Sequence, residues 1–352
     1  MTVTAEQPVR FAAVGLDHSH IFGQIAGLIA AGGTLVGVSS ADPQAAVAQE
    51  VRRRWPEAPW VDDVHQLLQD PTIELITTAA VPDQRAAIAI EALRHGKDVV
   101  TDKPGCISLE ELDSIQQAVS DTGQFWSVCF SERFEVRSVT RADELVREGR
   151  IGQVIQTIGL GPHREGDAAH LAGGVGRPEW FYDRNRFGGI ITDIASHQID
   201  QFLWLTGSTS AEIVASSAAN YTHPDSPLMQ DFGEVVLRSG HAHGYIRVDW
   251  YTPQGLPTWG DGRLIILGTQ GYIELRKYVD IAREPGRDHL FVVDANGTES
   301  IDCSDAELAY FPDLISDVRN RTNTACPQEH TFAVMRLALT AQQQATLSGH
   351  AQ

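Results

Sequence analysis

The sequence predicts an α/β protein in which a doubly wound parallel sheet is followed by an α+β domain with a large, mostly antiparallel sheet. Two patterns predict this: strands and helices alternate regularly up to about residue 126, and strand patterns dominate from about residue 212 onwards. The length of 352 residues is a third observation, because about 150 residues per domain gives roughly two domains. We therefore predict a first domain over residues 1–126 and a second over residues 127–352.

Strand and helix patterns alternate through the first domain. Asp42-Pro43 is expected to cap and open the helix after the second strand, because aspartate accepts first-turn amides and proline needs no amide partner there. Ser108 with Glu111 has the spacing of a capping box for the helix before the fifth strand. The predicted strands span residues 9–14, 35–38, 73–78, 99–101 and 125–130. Strands joined by helices run parallel, so this alternation indicates a Rossmann-type sheet, which binds ligands beyond the carboxyl ends of its strands.

The pattern changes after Arg150. Polar and apolar residues alternate over 243–251, which is the period of a strand with one buried face. Ile246, Val248 and Trp250 fall on the apolar face, which predicts either cover by helices or self-association. The other expected elements are an extended segment at 151–160, a helix at 192–205, strands between 212 and 302, and helices from 313 and after 327.

The charge balance argues against a nucleic-acid partner. Lysine and arginine number 27 against 46 aspartate and glutamate residues, a formal charge of −19, and the longest basic run is Arg52–Arg54. A phosphate polymer would be repelled by such a field. No apolar run approaches about 18 residues, and residues 1–10 lack the apolar core of a secretory signal. We therefore expect no membrane partner and a cytoplasmic protein, in which the four widely spaced cysteines are reduced.

Four segments of the sequence resemble one known family. They are Val14–Ile21, Asp102-Lys103-Pro104, Arg133-Phe134 and the most specific segment, Gly188–Asp200, which reads GGIITDIASHQID. Together they resemble the glucose–fructose oxidoreductase / inositol dehydrogenase (Gfo/Idh/MocA) family of nicotinamide-dependent dehydrogenases over nearly the whole chain. The resemblance implies hydride transfer between a secondary alcohol of a sugar, sugar derivative or cyclitol and NAD or NADP. It also implies a homo-oligomer, a dimer or tetramer, since the sheet of the second domain usually pairs subunits in this family.

Three residues match positions that carry the chemistry in that family. Asp102-Lys103-Pro104 resembles its Glu-Lys-Pro motif, with aspartate in place of glutamate, and Lys103 would stabilise the alkoxide that builds up as hydride leaves. Asp193 and His197 are four residues apart on a predicted helix and share one face. An imidazole suits proton transfer near neutral pH, and a neighbouring carboxylate would orient it. The resemblance therefore implies Lys103, Asp193 and His197 as the catalytic residues.

The predicted nucleotide loop departs from the usual pattern. Rossmann sites read G-x-G-x-x-G, whereas this chain reads Gly15-Leu16-Asp17-His18-Ser19-His20, with only the first glycine. Helix N-terminal amides can still bind phosphate, and His18 or His20 can donate to it. After the second strand, Ser39-Ser40 replaces the usual acidic residue and no arginine follows directly, so NAD and NADP both stay open. The expected cofactor-binding residues are Gly15, Asp17, His18, Ser19, His20, Ser39, Ser40, Ala80, Pro82, Asp102 and Lys103.

A sugar or polyol substrate is expected to meet the second domain. Sugar hydroxyls need dense polar partners, and the long loop at 161–186 carries several, with Trp180 shortly before the double glycine, as an aromatic residue commonly lies in the family. The expected substrate-binding residues are Arg133, His163, Trp180, Tyr182 and Asp183. Arg164 and His170 of the same loop are weaker candidates.

Two other functions stay open. His18-Ser19-His20 after a first strand is also how some metal-dependent hydrolases begin their metal site, with His163, Asp193 and His197 as further ligands. That site requires a (β/α)₈ barrel, whereas the alternation here stops after about five units, so we expect no metal. The third possibility is a catalytically inactive dinucleotide-binding sensor. The altered glycine loop favours it, and the presence of all three catalytic residues disfavours it.

Overall fold

The computed structural model describes residues 7–166, 177–282 and 284–351, and its contacts divide the chain into two compact units. The first unit comprises residues up to Cys106, Glu110–Cys129 and Ala309–Gln328. The second unit comprises Ile107–Leu109, Phe130–Leu308 and the residues from Glu329 onwards. Each unit is assembled from separate stretches of chain, so the single boundary between residues 126 and 127 stays a prediction.

The first unit is built on a parallel sheet. Within the described residues this sheet has five strands in the order β2-β1-β3-β4-β5, and all neighbouring strands are parallel. The elements are β1 Arg10–Leu16, α1 Ile21–Ala30, β2 Thr34–Ser39, α2 Ala46–Arg54, α3 Val64–Gln69, β3 Leu75–Ala79, α4 Pro82–Arg94, β4 Asp98–Asp102, α5 Leu109–Thr122 and β5 Trp126–Cys129. The predicted doubly wound sheet is confirmed.

The predicted element ends are correct to within a few residues, with one exception. Asp42-Pro43 does not open a helix, because the Asp42 carboxylate accepts the amide of Gln44 at 2.9 Å and closes a local turn. The helix α2 begins only at Ala46. By contrast, α5 begins at Leu109, directly after the predicted cap residue Ser108.

The second unit is built on a large, mostly antiparallel sheet, as predicted. In the described part of the chain it has nine strands in the order β13-β12-β11-β10-β6-β9-β8-β7-β14. Only the pairs β6–β9 and β7–β14 are parallel within this described sheet. The strands are β6 Val154–Pro162, β7 Glu212–Asn220, β8 Phe232–Arg238, β9 His243–Asp249, β10 Arg263–Gly268, β11 Gly271–Arg276, β12 His289–Asp294, β13 Gly297–Ile301 and β14 Thr346–Gly349.

Helices cover one face of the large sheet. The second unit contains α6 Ser131–Phe134, α7 Arg137–Arg147, a 3₁₀ turn Glu179–Tyr182, α8 Arg184–Phe187, a π-helical turn Ile191–Ala195 and α9 Ser196–Thr206. The chain then adds α10 Tyr310–Asn320, which belongs to the first unit, and α11 Gln328–Gln344. Within the described ranges, none of these helices has the length and apolar character needed to span a membrane.

The face that carries Ile246 and Val248 is closed within the chain. Both side chains are buried, α9 packs on β6 and β9, and α7 packs on β11 and β12. Of the two predicted alternatives for this face, cover by helices is therefore the correct one. The opposite face, which we call the open face, carries half-exposed apolar side chains. Val236, Tyr245, Ile158 and Ile265 stand beside one another in register on four neighbouring strands, and Phe291 lies on the same face beyond Glu274.

The segment containing α10 completes the core of the first unit. Tyr310 Oη lies 2.8 Å from Ser127 Oγ, and both side chains are buried. A Cβ added at Gly27 of α1 would lie 2.3 Å from the Phe311 ring, so helix and ring pack in direct contact. A residue without a side chain is therefore required at Gly27.

A buried ion pair fastens α6 to the large sheet within the second unit. Lys277 Nζ, fully buried after β11, lies 2.6 Å from Glu132 Oε2. Gln198 Nε2 donates to the same carboxylate at 3.0 Å, and Gln201 Oε1 accepts from Lys277 Nζ at 2.9 Å. Because α9 supplies both glutamines, the pair joins α6, α9 and the sheet.

We predict that Lys277→Met lowers the free energy of unfolding by about 3–5 kcal/mol, since Glu132 would keep a buried, uncompensated charge. Urea denaturation at pH 7 measures this. The double variant Glu132→Gln/Lys277→Met should recover at least half of the loss, because neither charge remains.

Arg287→Met is the matched control. Arg287 pairs with Asp288 at 3.0 Å but its side chain is 56% exposed, so its loss should cost less than about 1 kcal/mol. Equal effects of the two single substitutions would contradict the prediction.

Candidate functional site

The loop after β1 lies against the end of β3. Gly15 has φ +72°, and a Cβ added there would stand 2.5 Å from Cβ of Ala80. Only glycine fits such a close approach. Two of the expected cofactor-binding residues, Gly15 and Ala80, are thus neighbours at the carboxyl edge of the parallel sheet.

Hydrogen bonds inside this loop use several of its amides. The amides of Asp17 and His18 both donate to Ala79 O, at 3.1 and 3.0 Å, and the amide of His20 faces His18 Nδ1 at 3.3 Å. Within the described chain, the amide and hydroxyl of Ser19 have no acceptor. Ser19, at the N-terminus of α1, therefore offers the donors that an anion such as a diphosphate requires.

Both loop histidines turn their rings toward Asp102, the last residue of β4. Asp102 Oδ1 lies 2.9 Å from His20 Nδ1, Asp102 Oδ2 lies 3.2 Å from His18 Nδ1, and the Lys103 amide donates to Oδ1 at 2.9 Å. Burial alone would raise the pKa of Asp102, but the charges of His20 and Arg85 hold that pKa well below its ordinary value. Burial lowers the pKa of His18 well below its ordinary value, and His20 lowers it further.

Arg85 of α4, which the sequence analysis missed, joins the ends of two strands. This buried guanidinium donates to Ala80 O at 2.7 Å, to Asp102 O and Pro104 O at 3.0 and 2.9 Å, and to Asp102 Oδ2 at 3.2 Å. The peptide bond between Lys103 and Pro104 is cis. Arg85 therefore fixes the backbone on both sides of Lys103. No local sequence signal links it to a motif 17 residues away.

The three side chains of His18, His20 and Asp102 also have the spacing of metal ligands, with ligand atoms within 4.8 Å of one another. A cation there would meet the guanidinium of Arg85 on the same carboxylate, and like charges repel at that distance. We interpret the cluster as a hydrogen-bonded ion network. The described residues also lack the (β/α)₈ barrel that the hydrolase hypothesis requires, since the parallel sheet ends at β2 and β5.

The end of β2 contains no charge that selects a cofactor. Ser39 and Ser40 are nearly buried, and Ser40 Oγ donates to Asp42 O at 3.1 Å. Pro82 starts α4 and turns the chain beside Ala80. The close approach of Gly15 to Ala80 and the donors of Ser19 fit a dinucleotide. The choice between NAD and NADP stays open.

In the second unit, Asp193 lies in the π-helical turn and His197 in the first turn of α9, and both side chains are buried. Two glutamines hold the start of this turn: Ile190 N donates to Gln230 Oε1 at 3.1 Å, and Ile191 N to Gln342 Oε1 at 3.0 Å. A π-helical turn is an uncommon geometry that often marks functional sites. The sequence predicted a plain helix here and gave no sign of the wider turn.

Arg133, an expected substrate ligand, is engaged in a buried ion pair. Its Nε and NH2 donate to Asp200 at 2.7 and 2.8 Å, and its guanidinium stacks on Trp204 at 4.1 Å. Burial alone would raise the pKa of Asp200, but Arg133 and His330 lower it below its ordinary value. The structure thus gives Arg133 a role in holding α9, and contact with substrate stays a prediction.

The other expected substrate ligands share one aromatic neighbourhood. His163 packs between Trp250 and Trp259, with ring centroids 5.4 and 4.6 Å away, and Trp180 stacks on Phe181 at 4.0 Å. Their contact with substrate stays a prediction.

Two polar members of the set have defined partners. The Tyr182 hydroxyl donates to Glu165 at 2.9 Å, and Asp183 caps α8 through the Asn185 amide. Arg164 donates to Pro253 O and Leu256 O, which indicates a structural role. His170 lies outside the described residues.

Arg177 is a further polar residue of this neighbourhood that the sequence analysis missed. Its guanidinium stacks over Phe181 and Trp250, 4.7 and 4.4 Å from the ring centroids. Burial lowers the pKa of Arg177 to about 10, although Asp193, Tyr182 and Glu165 lie close enough to oppose that shift.

We predict that Asp102→Asn lowers the free energy of unfolding by about 3–5 kcal/mol at pH 7, because Arg85 would lose its buried counter-ion. The folded pKa of Asp102 lies below that of an unfolded aspartate, about 3.9. The stabilisation is therefore complete above that value and is lost as the pH falls through the folded pKa. Urea denaturation at pH 7, 5 and 3.5 should show the gap between wild type and variant narrowing only at the lowest pH.

Asp62→Asn, at an exposed position, should match wild type at every pH. A gap for Asp102→Asn that stays constant down to pH 3.5 would contradict the prediction.

Comparisons with known proteins agree with this geometry. A family model described as "Oxidoreductase family, NAD-binding Rossmann fold" matches residues 13–130. A second model, "GFO/IDH/MocA C-terminal domain", matches residues 139–274. Together the two models cover most of the chain. The matched ranges include the motifs at Gly15, Asp102-Lys103-Pro104 and Asp193.

Individual relatives match most of the chain. The scyllo-inositol 2-dehydrogenase (NAD(+)) of Bacillus subtilis is 25% identical over 299 residues, 83% of this chain and 76% of that protein. A protein of Erwinia carotovora atroseptica SCRI1043 with a known crystal structure is 44% identical to this chain in sequence. The two structures superpose with a TM-score of 0.92 over 96% of this chain and 99% of that one. Levoglucosan dehydrogenase in complex with NADH and levoglucosan has a TM-score of 0.76 over 96% of this chain and 98% of its own. At 19% identity it shows the shared fold alone.

Proposed function

Because the chain belongs to the GFO/IDH/MocA family of oxidoreductases, we propose that it transfers a hydride between a secondary alcohol of a sugar, sugar derivative or cyclitol and NAD or NADP. The observation that carries this proposal is Lys103, held at the carboxyl end of β4 by Asp102 and Arg85. The relative named for scyllo-inositol supports the polyol class.

The bound nicotinamide would supply the hydride acceptor. Gly15 leaves room for the dinucleotide backbone beside Ala80, and Ser19 would donate to its diphosphate. The rings of His18 and His20 stand beside this loop and are held by Asp102. We assign them to the cofactor site, as the sequence analysis expected.

Three residues are proposed to act on the alcohol. The buried ammonium of Lys103 would stabilise the negative charge that develops on the alcohol oxygen, an effect that a water-poor site enlarges. His197 would take the hydroxyl proton through its imidazole. Asp193, in the widened turn just before it, would orient that ring.

We predict that Lys103→Met and His197→Ala each lower kcat by about 100-fold or more, since one acid–base or electrostatic group commonly contributes that much. The assay follows NADH or NADPH absorbance with scyllo-inositol, levoglucosan or D-xylose as substrate. Fluorescence titration with NADH should show that both variants still bind cofactor.

The control is His95→Ala, at an exposed position at the end of α4, which should keep wild-type kcat. Wild-type rates in the two site variants would remove these catalytic assignments. Cofactor binding without turnover of any polyol by the wild-type protein would favour the sensor hypothesis.

We further propose that the protein is a cytoplasmic homo-oligomer, a dimer or tetramer, that assembles through the open face. Ile265 stands beside Ile158, which stands beside Tyr245, so apolar side chains form a continuous row across three strands. Leu267 and Tyr272 extend it with 36% and 39% of their surface exposed. Contiguous exposed apolar surface of this kind is typical of subunit interfaces.

We predict that Ile265→Asp shifts the protein to monomers, because a carboxylate in the middle of a closed apolar interface would lose its water. Size-exclusion chromatography with light scattering measures the mass. Gln117→Asp on α5 is the control and should keep the wild-type mass. An unchanged mass for Ile265→Asp would place any interface elsewhere.

A further inference from the structure

Four polar side chains form a continuous chain of hydrogen bonds in the second unit, outside the catalytic residues proposed above. In the order of the hydrogen bonds, they are Asp231, His223, Glu165 and Tyr182. They come from separate segments, which in the same order are the residue before β8, the turn after β7, the loop after β6 and the 3₁₀ turn before α8. The successive heavy-atom distances are 3.1, 2.8 and 2.9 Å.

Asp231 is the fixed end of this chain. It is fully buried and accepts the amides of Tyr221 and Thr222 and the Thr222 hydroxyl, all at about 2.9 Å. Burial alone would raise the pKa of Asp231, but these amides lower it below its ordinary value. Asp231 is therefore an ionised acceptor, and His223 Nδ1 donates to it.

His223 connects Asp231 to Glu165 through its two ring nitrogens. Because Nδ1 carries a proton toward Asp231, Nε2 faces Glu165 Oε1 at 2.8 Å across a second hydrogen bond. The ring of His223 is held on both sides, and so is the position of Oε1.

Glu165 has one oxygen engaged and one available. Oε1 meets His223 and also accepts the Tyr182 hydroxyl, whose pKa burial and Glu165 raise to about 12. Oε2 has no partner among the described residues, and the side chain is 31% exposed. A carboxylate fixed at one oxygen and open at the other is suited to accept a hydrogen bond from a ligand hydroxyl.

Arg177 lies beside the segment that carries Glu165. Its NH2 group donates to Arg164 O at 3.3 Å, and its guanidinium stacks over Phe181, next to Tyr182, and over Trp250, which follows β9. The π-helical turn that contains Asp193 packs on β8 and β9. The buried Nε of Arg177 has no acceptor in the described parts of the chain. Near the turn that contains Asp193, two side-chain atoms thus have no partner among the described residues: the acceptor Glu165 Oε2 and the buried donor Arg177 Nε.

We propose that Glu165 and Arg177 form a hydroxyl-recognition site for the substrate, and that His223 and Asp231 act as its positioning residues. Glu165 accepts a hydrogen bond from one substrate hydroxyl, and Arg177 donates to the oxygen of another. The site requires a polyol with hydroxyls next to the reacting carbinol, rather than a simple secondary alcohol. This inference rests on the proposed dehydrogenase function.

The first test is Glu165→Gln, assayed with scyllo-inositol, levoglucosan and D-xylose in the presence of NAD⁺ or NADP⁺. We expect KM for the polyol to rise about 10- to 100-fold, the usual effect of losing a charge-assisted hydrogen bond. The value of kcat should change by less than about threefold, because the reacting groups remain. Glu91→Gln is the matched control: Glu91 also pairs with a histidine, His65, and is 35% exposed, and its substitution should leave KM unchanged.

The second test separates positioning from simple stability. His223→Leu should raise KM as Glu165→Gln does, whereas His223→Gln keeps an N–H that reaches Glu165 and should recover most of the affinity. His65→Gln is the control for a general effect of losing a histidine. Thermal unfolding of each variant identifies any that fail to fold.

The outcomes are distinguishable. An unchanged KM in Glu165→Gln, with polyol turnover intact, would overturn this inference alone. Equal KM values for His223→Leu and wild type would overturn the positioning role. Absence of turnover of every polyol by the wild-type protein would overturn the proposed function and this site with it.

Discussion

The ion pair between Arg85 and Asp102 is the interaction on which the carboxyl edge of the first unit depends. Both groups are buried, and a buried charge is stable only when it meets an opposite charge and satisfied hydrogen bonds. Arg85 meets both conditions, because the same guanidinium also binds the carbonyls of Ala80 and Pro104. Lys103 stands between these contacts, so its position follows from the ion pair and not from local backbone preference alone.

The same pair connects two departures from the usual sequence patterns of this family. Asp102 is one methylene shorter than the glutamate of the Glu-Lys-Pro motif, and Asp17 and His20 stand where the nucleotide loop would carry its second and third glycines. In the structure the imidazoles of His18 and His20 meet the Asp102 carboxylate directly. A glycine at position 20 would offer no imidazole to this carboxylate, so His20 and Asp102 depart from the usual patterns as a contacting pair.

Buried polar groups organise the second unit in a similar way. Under α9, Asp200 binds Arg133 and His330, and Glu132 binds Lys277. These contacts attach the helix that carries His197 to α6, to α11 and, through Lys277, to the end of β11. Helices cover one face of the large sheet, whereas its open face carries a row of partly exposed apolar side chains.

The sequence by itself determined the fold class, the order of the elements and the motifs at Gly15, Lys103 and His197, because periodicity, caps and local spacing act between residues close in the chain. It misplaced the start of α2, where Asp42 closes a turn instead of capping a helix. It also missed the π-helical turn at Asp193, the ion pair of Arg85 and the hydrogen bonds of Glu165. Only the tertiary structure decided these last three features, because each involves a partner that is distant in the chain: Gln342 lies 151 residues from Ile191, Asp102 lies 17 residues from Arg85, and His223 lies 58 residues from Glu165. Charge pairing across such separations leaves no periodic pattern, so it becomes visible only when the chain is folded.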